Sequence, residues 1–177
     1  MSTPTNLFAG LLAIAALGCM GCAQPEQPSP SDRRTDAGGQ SEVQLTRLRK
    51  EPSSFIYYSG LHDSLRVVVR DSATWRRIWT EMYSLGSPEP DRPEIDFAHE
   101  MLVVAALGTR ATGGYSVFID GARRDSSGDI VIAVRTVSPA RRCGVTEALT
   151  QPADIARMPR SDADVRFEER QEIQDCP

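Results

Sequence analysis

Residues 101–107, Met-Leu-Val-Val-Ala-Ala-Leu, form an unbroken apolar run that ends at Gly108. A strand with one face in water alternates apolar and polar side chains, whereas a strand without polar positions is buried on both faces. A run of this length suits a strand better than a helix, and the glycine marks the turn that follows. The run therefore predicts a central strand that is covered on both faces.

One amphipathic helix is predicted before this strand. Trp75, Ile78, Trp79 and Met82 fall at positions i, i+3, i+4 and i+7, which places them on one helical face, and Ser72 can cap the N-terminus. A tryptophan pair can also form a ligand-binding platform. Because the helical spacing beside an isoleucine favours packing, we expect both tryptophans in the core.

The remaining elements predicted from the pattern are strands. Turn-forming residues at 125–129, with Gly128 able to take a positive φ, connect two of them as a hairpin. The same segment contains candidate calcium ligands, but it lacks the distal glutamate of an EF-hand loop. The sequence predicts an α+β fold, a mainly antiparallel β-sheet with one amphipathic helix packed on a face. The predicted strands are residues 55–59, 65–70, 115–120, 129–137, 145–150, 154–158 and 165–169.

The N-terminus resembles the signal of a bacterial lipoprotein. Residues 7–17 are apolar but too few to span a hydrocarbon core of about 30 Å, and a run of this length fits the h-region of a secretory signal. The small residues before Cys19 are similar to a lipobox, whose cysteine is acylated. We predict a signal peptide over residues 1–19 with lipidation at Cys19, or alternatively at Cys22. An ordinary cleaved signal with incidental cysteines is the other interpretation.

The segment after this signal is polar. Residues 20–42 hold few apolar side chains, so they cannot bury enough surface to offset the cost of ordering. They are predicted to be a flexible linker, and residues 43–177 are predicted to be the globular domain. The expected location is lipid-anchored to the cell envelope, at the outer membrane or facing the periplasm if the cell has two membranes.

The charge pattern argues against nucleic acid as a partner. The chain has 20 lysines and arginines against 24 aspartates and glutamates, a net charge of -4, and no long basic run. Lys50 is the only lysine, and we interpret the abundance of arginine as genome composition before a binding surface. Contact with a membrane is expected through the N-terminal lipid.

Cys143 and Cys176 are predicted to form a disulfide, because an exported protein folds in an oxidising compartment. The bond would close a loop of about 32 residues and stabilise the fold by about 3–4 kcal/mol. A nucleophilic Cys143 is the alternative, but such a thiol needs a nearby histidine as its base.

No catalytic residue, metal site or cofactor is predicted. The two histidines, His62 and His99, lack the spacing of a metal site. Gly108 and Gly113 have the spacing of a phosphate loop, but the Lys-Ser/Thr pair that binds phosphate is missing. A triad of a serine with His99 and Asp96 stays open, since such groups meet only in space, although no serine lies in a G-x-S-x-G motif.

An ordered set of short motifs runs through the domain. In order they are Trp75 and Trp79, Pro93, Asp96-Phe97, residues 101–107 with Gly108, Gly113-Gly114-Tyr115, Pro139, and Leu149-Thr150-Gln151-Pro152. Together they resemble the PrcB C-terminal domain family, which often has an aromatic residue where this chain has Ala153. The family is named for a lipoprotein subunit of a bacterial surface protease complex. The resemblance implies an assembly or interaction factor and not the peptidase itself.

The expected function is that of a membrane-anchored envelope lipoprotein with a non-catalytic protein-interaction domain, such as an accessory or assembly subunit of a surface protease complex. The partner would be an envelope protein or peptide, with a protease among the candidates. The partner would bind through sheet edges or through two loops, and the loops are the candidate interaction surface. The loop residues are Asp96, Phe97, Gly113, Gly114 and Tyr115.

Two other functions remain open on the sequence. One is a small envelope hydrolase with a spatially assembled site, and the other is a protease inhibitor that presents the proline-rich residues 88–93. A deep polar pocket that includes His99 would favour the hydrolase, whereas a shallow surface with an open edge strand would favour the interaction domain.

Overall fold

The computed structural model describes residues 35–36, 40–48 and 56–176, which all lie in one unit, Arg33–Pro177. The elements there are β1 (Thr35–Asp36), β2 (Gln40–Val43), β3 (Thr46–Arg47), β4 (Ser64–Val69), α1 (Ser72–Met82), β5 (Glu100–Leu107), β6 (Ser116–Arg124), β7 (Ile130–Pro139), β8 (Ala153–Pro159) and β9 (Val165–Gln174). The strands form a five-stranded sheet in the order β1-β2-β6-β7-β9 and a four-stranded sheet in the order β3-β8-β5-β4. The fold is α+β and mainly antiparallel, as the sequence predicts.

β5 lies between two hydrophobic cores. Leu102, Val104 and Ala106 pack with the buried face of α1, while Met101 and Val103 pack with the inner face of the five-stranded sheet. All residues of the apolar run 101–107 are buried, so the prediction of a strand covered on both faces is confirmed. The described residues therefore form three layers, in the order helix, four-stranded sheet, five-stranded sheet.

α1 buries the predicted apolar face, but its cap is one residue earlier than predicted. Trp75 and Trp79 are both buried, with 1% and 3% of their surface exposed. The N-cap is Asp71, whose carboxylate accepts a hydrogen bond from the backbone N–H of Thr74 at 2.8 Å. Ser72 is instead the first residue of the helix. Aspartate and serine are comparable N-caps, so the sequence pattern alone did not separate the two positions.

The structure corrects two predicted strands. Residues 145–149 form no strand, and Thr150 makes only an isolated bridge with Arg110. Ile56 and Tyr58 also make isolated bridges, and Phe55 lies outside the described residues. Two sheets are present where the sequence predicts one, because the pattern of a strand does not reveal which neighbours share its sheet.

The last strand is longer than predicted, and it runs parallel to its neighbour. β9 extends to Gln174 and pairs with β7 along its whole length. The apolar alternation that predicts a strand stops at Phe167, because residues 168–172 are polar on both faces. Pairing with β7, and not burial, continues the strand.

The hairpin predicted at residues 125–129 is confirmed. The N–H of Gly128 donates to the carbonyl of Asp125 at 3.0 Å, and Gly128 has a φ of 92°. The carboxylate of Asp125 accepts from the backbone N–H groups of Ser127 and Asp129 at 3.0 and 3.1 Å. Asp125 therefore closes its own turn. Within the described residues no group of three His, Cys, Asp or Glu is arranged to hold a metal ion.

A buried aspartate joins the two sheets. Asp154 of β8 is fully buried, and its carboxylate accepts from the N–H of Ile119 in β6 at 2.8 Å. Arg47 of β3 donates to the same carboxylate and to the carbonyl of Ile119. Burial raises the pKa of Asp154, while these hydrogen bonds and the guanidinium oppose that shift.

The predicted disulfide is present. Cys143 and Cys176 are joined by an S–S bond of 2.02 Å, with their Cα atoms 5.4 Å apart. The bond ties the chain just beyond β9 to the loop that follows β7. Cys143 is therefore held as a disulfide sulfur in this structure.

The predicted signal and lipidation sites, residues 1–19 with Cys19 and Cys22, lie outside the described residues. β1 and the first three residues of β2 fall in the range 20–42 for which the sequence predicts a linker, so paired backbone begins before residue 43. None of the helices in the described part of the chain is long and apolar enough to cross a membrane.

Candidate functional site

The two sheets are joined on one side and open on the other. On the joined side the chain passes directly from β2 in one sheet to β3 in the other through Gln44 and Leu45. On the other side the edge strand β4 lies near the edge strand β9 and its approach loop. Arg70, the residue after β4, donates to the backbone carbonyls of Ser161 and Ala163 at 3.1 and 3.2 Å. We call this side of the molecule the open side.

A cleft of about 400 Å³ lies between the sheets on the open side. We call it the inter-sheet cleft. It is lined by side chains from both sheets and from the loop after β5, and most of them are polar or charged. The polar and charged residues include Arg66, Arg110, Tyr115, Thr136, Glu169 and Gln171.

Arg66 links the two sheets through Glu169. Its Nε and Nη2 donate to the two carboxylate oxygens of Glu169 at 2.6 and 3.2 Å. Its Nη1 donates to the carbonyls of Leu65 and Ala106 at 2.8 and 2.7 Å. A bidentate pair of this kind fixes both side chains, so Arg66 and Glu169 form one wall of the cleft.

Arg110 is different, because most of its donors have no acceptor among the described residues. Its Nη2 donates to the carbonyl of Leu107 at 3.0 Å, and its guanidinium carbon lies 5.6 Å from the ring centre of Tyr115. Its Nε is buried without a hydrogen-bond partner, and no carboxylate of the described residues forms an ion pair with it. An arginine has five N–H donors, so Arg110 keeps donors to which no described residue offers an acceptor.

The backbone around Arg110 is fixed by the loop after β5. Gly108 has a φ of 72°, and a Cβ there would lie 2.8 Å from the carbonyl oxygen of His62. The N–H of Arg110 donates to the carbonyl of Thr150 at 2.8 Å, and the N–H of Thr150 donates back at 3.0 Å. The hydroxyl of Thr150 donates to the carbonyl of Thr112 at 2.9 Å. The loop therefore presents Arg110 from a rigid support.

The glycine pair of the candidate surface has a packing role. A Cβ at Gly113 would lie 2.2 Å from the hydroxyl oxygen of Thr146. Gly114 has a φ of 85°, and a Cβ there would lie 3.0 Å from the ring of Pro139. These glycines let the loop pass close to residues 139–146. Tyr115, which follows them, is the one residue of the five predicted that lines the inter-sheet cleft.

Asp96 and Phe97 lie at the opposite end of the domain from Tyr115. They precede the first residue of β5, whereas the glycine loop follows its last residue. Eight strand residues at about 3.3 Å each separate the two loops by roughly 25 Å. Phe97 packs against the core beneath α1. The five predicted residues therefore do not form one continuous surface.

The structure does not assemble the catalytic groups that the sequence left open. Nδ1 of His99 bonds to the carboxylate of Asp96 at 2.7 Å, and both side chains are exposed. This hydrogen bond raises the pKa of His99 and lowers the pKa of Asp96. In the described residues no hydroxyl or thiol bonds to His99. The depression beside it, about 310 Å³, is lined by the ion pair of Glu100 and Arg157.

Sequence reasoning missed Arg66 and Arg110. The sequence gives only a weak indication of Arg66. It is a charged residue within a β-rich segment, and its neighbours Leu65 and Val67 face α1. The sequence gives no indication of Arg110, since it stands in a loop of a chain whose basic residues are nearly all arginine. Its distinction is the lack of a carboxylate partner among the described residues, which is visible only in three dimensions.

The fold and the cleft define a small α+β domain of two packed sheets with a polar cleft on its open side. Residues 101–159, about a third of the chain, match the family model described as PrcB C-terminal. This match supports the resemblance to the PrcB C-terminal family that the sequence motifs indicate. The match contains β5, the loop with Arg110, the glycine pair and β8, while the earlier motifs at Trp75 and Asp96 precede it.

Neither the curated proteins nor the solved structures contain a match to this chain.

Proposed function

We propose that the domain is a non-catalytic accessory subunit of an envelope protease complex, and that it binds a carboxylate-bearing segment of its protein partner in the inter-sheet cleft. The family points to association with a protease complex. The single observation that carries the cleft assignment is Arg110, whose buried Nε has no hydrogen-bond partner and whose guanidinium makes no ion pair among the described residues.

The charge of the cleft favours a carboxylate over a phosphate. Arg66 and Arg110 against Glu169 leave one net positive charge among these three groups. A carboxylate matches that charge, whereas a phosphate dianion would leave an excess negative charge beside Glu169. Arg110 is also half-buried and stacked on Tyr115, so its planar donors are oriented before a ligand arrives.

The test compares two peptides that differ only at one end. Acetyl-Thr-Val-Thr-Val-Thr with a free C-terminal carboxylate is titrated into the full-length, ¹⁵N-arginine-labelled protein in detergent, and the same peptide as a C-terminal amide is the control. We expect the Nε–H resonance of Arg110 to shift with the acid and not with the amide. Arg110→Gln should weaken binding at least about tenfold, because a charge-assisted hydrogen bond is lost. Arg76→Gln on the exposed face of α1 is the matched control.

Other probes separate the possible sources of the carboxylate. An amidated peptide with one glutamate in its centre tests an acidic side chain, and inorganic phosphate tests a general anion site. Equal responses to phosphate and to the peptide acid would contradict the carboxylate assignment. No response to any of them would overturn the proposed use of the cleft.

The partner itself is sought from the envelope of the source cell. The intact protein is used as bait, and proteins that co-purify are identified by mass spectrometry. Arg110→Gln is the variant to compare, since replacing Gly113 or Gly114 would disturb the packing against residues 139–146. Recovery of the same protease-complex component with wild type and with Arg110→Gln would count against the cleft as its binding site.

Anchoring by lipid is part of the same proposal. Acylation at Cys19, or alternatively at Cys22, would hold the domain at the membrane with residues 20–42 as its linker. The N-terminal peptide of the mature protein should carry the mass of the acyl groups. If a Cys19→Ser variant is still acylated, the acylated residue is Cys22. If the mature protein carries no acyl groups, it is an ordinary secreted protein.

A protease inhibitor is the second candidate, favoured by the way residues 88–93 are held. The indole Nε1 atoms of Trp75 and Trp79 donate to the carbonyls of Pro93 and Pro90 at 3.1 and 3.0 Å. An exposed loop fixed at two points suits a substrate-like inhibitor, which depends on a preformed conformation. Inhibition of the co-purifying protease that is lost on replacing Asp91 in this loop would favour this function over the accessory role.

A further inference from the structure

The outer edge of β9 is a row of backbone groups without partners. The N–H groups of Ile130 and Ala140 donate to the carbonyls of Asp164 and Gln174 at 2.8 and 3.0 Å. The even-numbered residues of this segment therefore direct their backbone groups toward β7. Since backbone directions alternate along a strand, the odd-numbered residues of β9 direct theirs outward. Within the described residues no hydrogen bond occupies these outward groups, and such an edge is a template for another strand.

We propose that this edge pairs with the same edge of a second copy of the chain. The two β9 strands would run antiparallel across a two-fold axis, with Glu169 facing Glu169. Each copy then uses the same surface, as a closed dimer requires. This register places outward-directed backbone groups opposite one another, so the two five-stranded sheets join into one.

The charges on the outer face of β9 favour this register over the two adjacent ones. Arg166 lies opposite Glu172 of the second copy, and Glu168 lies opposite Arg170, with each contact made twice by symmetry. Opposite charges at facing positions stabilise a strand pair, and like charges destabilise it. Moving the axis to residue 168 would set Arg166 against Arg170, and moving it to residue 170 would set Glu168 against Glu172. Repulsion between like charges therefore destabilises these two adjacent registers.

The inner face of β9 fits the same arrangement. Val165 lies opposite Ile173, whose side chain is 71% exposed in the single chain and would gain an apolar neighbour. Phe167 lies opposite Gln171. The two Glu169 carboxylates meet near the axis, and each is already paired with Arg66 of its own chain. The pairing therefore brings no isolated carboxylate to the axis.

Charged side chains on an edge strand also protect it against unspecific pairing. In β9 they form ion pairs within the chain, Arg166 with Glu168 at 2.5 Å and Arg170 with Glu172 at 3.7 Å. The dimer would extend this row of alternating charges across the axis. A protective role alone predicts a monomer, whereas the register argued above predicts a dimer that depends on the order of the charges.

Sedimentation of the full-length protein in detergent over a concentration series tests the dimer. Glu168→Arg should raise its dissociation constant at least about tenfold, because two attractive contacts become repulsive. Adding Arg170→Glu to that variant exchanges the charges and should restore the wild-type value. Arg76→Glu, on the exposed face of α1, should leave the value unchanged.

A second variant distinguishes loss of the dimer from loss of the fold. Gln171→Pro removes one outward N–H and leaves the hydrogen bonds to β7 in place, so it should abolish the dimer while circular dichroism stays unchanged. A monomer at all concentrations would overturn the proposal. So would a dimer that tolerates both Glu168→Arg and Gln171→Pro.

The register is read by cross-linking. In an Arg166→Lys variant a carbodiimide can join the new ammonium group to Glu172 of the second copy, forming an amide with loss of water. Mixing ¹⁴N- and ¹⁵N-labelled protein distinguishes links between copies, since these give peptides of mixed isotope content. Mixed links to Glu172 are expected, and mixed links only to other carboxylates would refute the register.

Discussion

Removal of the disulfide between Cys143 and Cys176 gives the most direct test of what holds the end of β9. The bond joins residues separated by 33 positions. On the chain-entropy model, a loop of that length stabilises the folded state by about 3.7 kcal/mol at 25 °C, because it restricts the unfolded chain. Cys143→Ser with Cys176→Ser should therefore lower the free energy of unfolding by about that amount.

Two unfolding experiments measure the loss. With an m-value of about 2 kcal/mol/M, the urea midpoint should fall by roughly 2 M. With an unfolding entropy of about 2.1 cal/mol/K per residue over Arg33–Pro177, the melting temperature should fall by about 12 °C. Wild-type protein unfolded in the presence of a phosphine reductant should give the same values as the double variant.

A loss below about 1 kcal/mol would refute the loop-entropy reasoning. Hydrogen exchange separates the possible reasons for such a result. Faster exchange confined to the Arg170 and Glu172 amides would mean that the bond only prevents local fraying of β9. Uniformly faster exchange across both sheets is the expected result, because the bond acts on the unfolded state of the whole domain.

Three further predictions follow from individual residues. The pKa of His99 should exceed 6.5 by NMR titration and return toward that value in Asp96→Asn; the contribution of this pair to stability is present below 6.5 and lost as the pH rises through the raised pKa. Asp154→Ala should cost about 3 kcal/mol in urea unfolding, because a buried N–H and a guanidinium lose their acceptor, and a cost near zero would contradict the role of this residue in joining the sheets. Gly128→Ala should cost about 1 kcal/mol from its positive φ alone, and Gly114→Ala should cost more because its Cβ also meets Pro139; equal costs would contradict the packing role of Gly114.

Much of the fold could be predicted because its elements are marked by strong local patterns. The apolar run at residues 101–107, the spacing of Trp75 and Trp79 and the turn at residues 125–129 each determine one element through burial or backbone conformation. The division into two sheets could not be predicted. It depends on long-range pairing, such as that between β5 and β8, which no short segment encodes.

The candidate site was harder to predict than the fold. The sequence singled out Tyr115 through its glycine neighbours, and the structure places Tyr115 in the inter-sheet cleft. It also grouped Asp96 with Tyr115, although β5 holds them at opposite ends of the domain. Arg110 was missed because its distinction is the lack of a carboxylate partner in three dimensions, and that property has no local pattern.

The burial of β5 on both faces changes how the alignment of this strand is specified. In an amphipathic strand, a shift of the pairing by one residue would expose the apolar side chains to water. The cost of that exposure sets the register. In β5 the same shift would only exchange one set of apolar side chains for another. The hydrophobic effect therefore discriminates little between alternative registers of this strand. The ends must provide that discrimination, through the ion pair of Glu100 with Arg157 at 3.4 Å and the glycine conformation at Gly108. A single residue inserted between them would therefore be more harmful than a volume-conserving replacement of any side chain inside the strand.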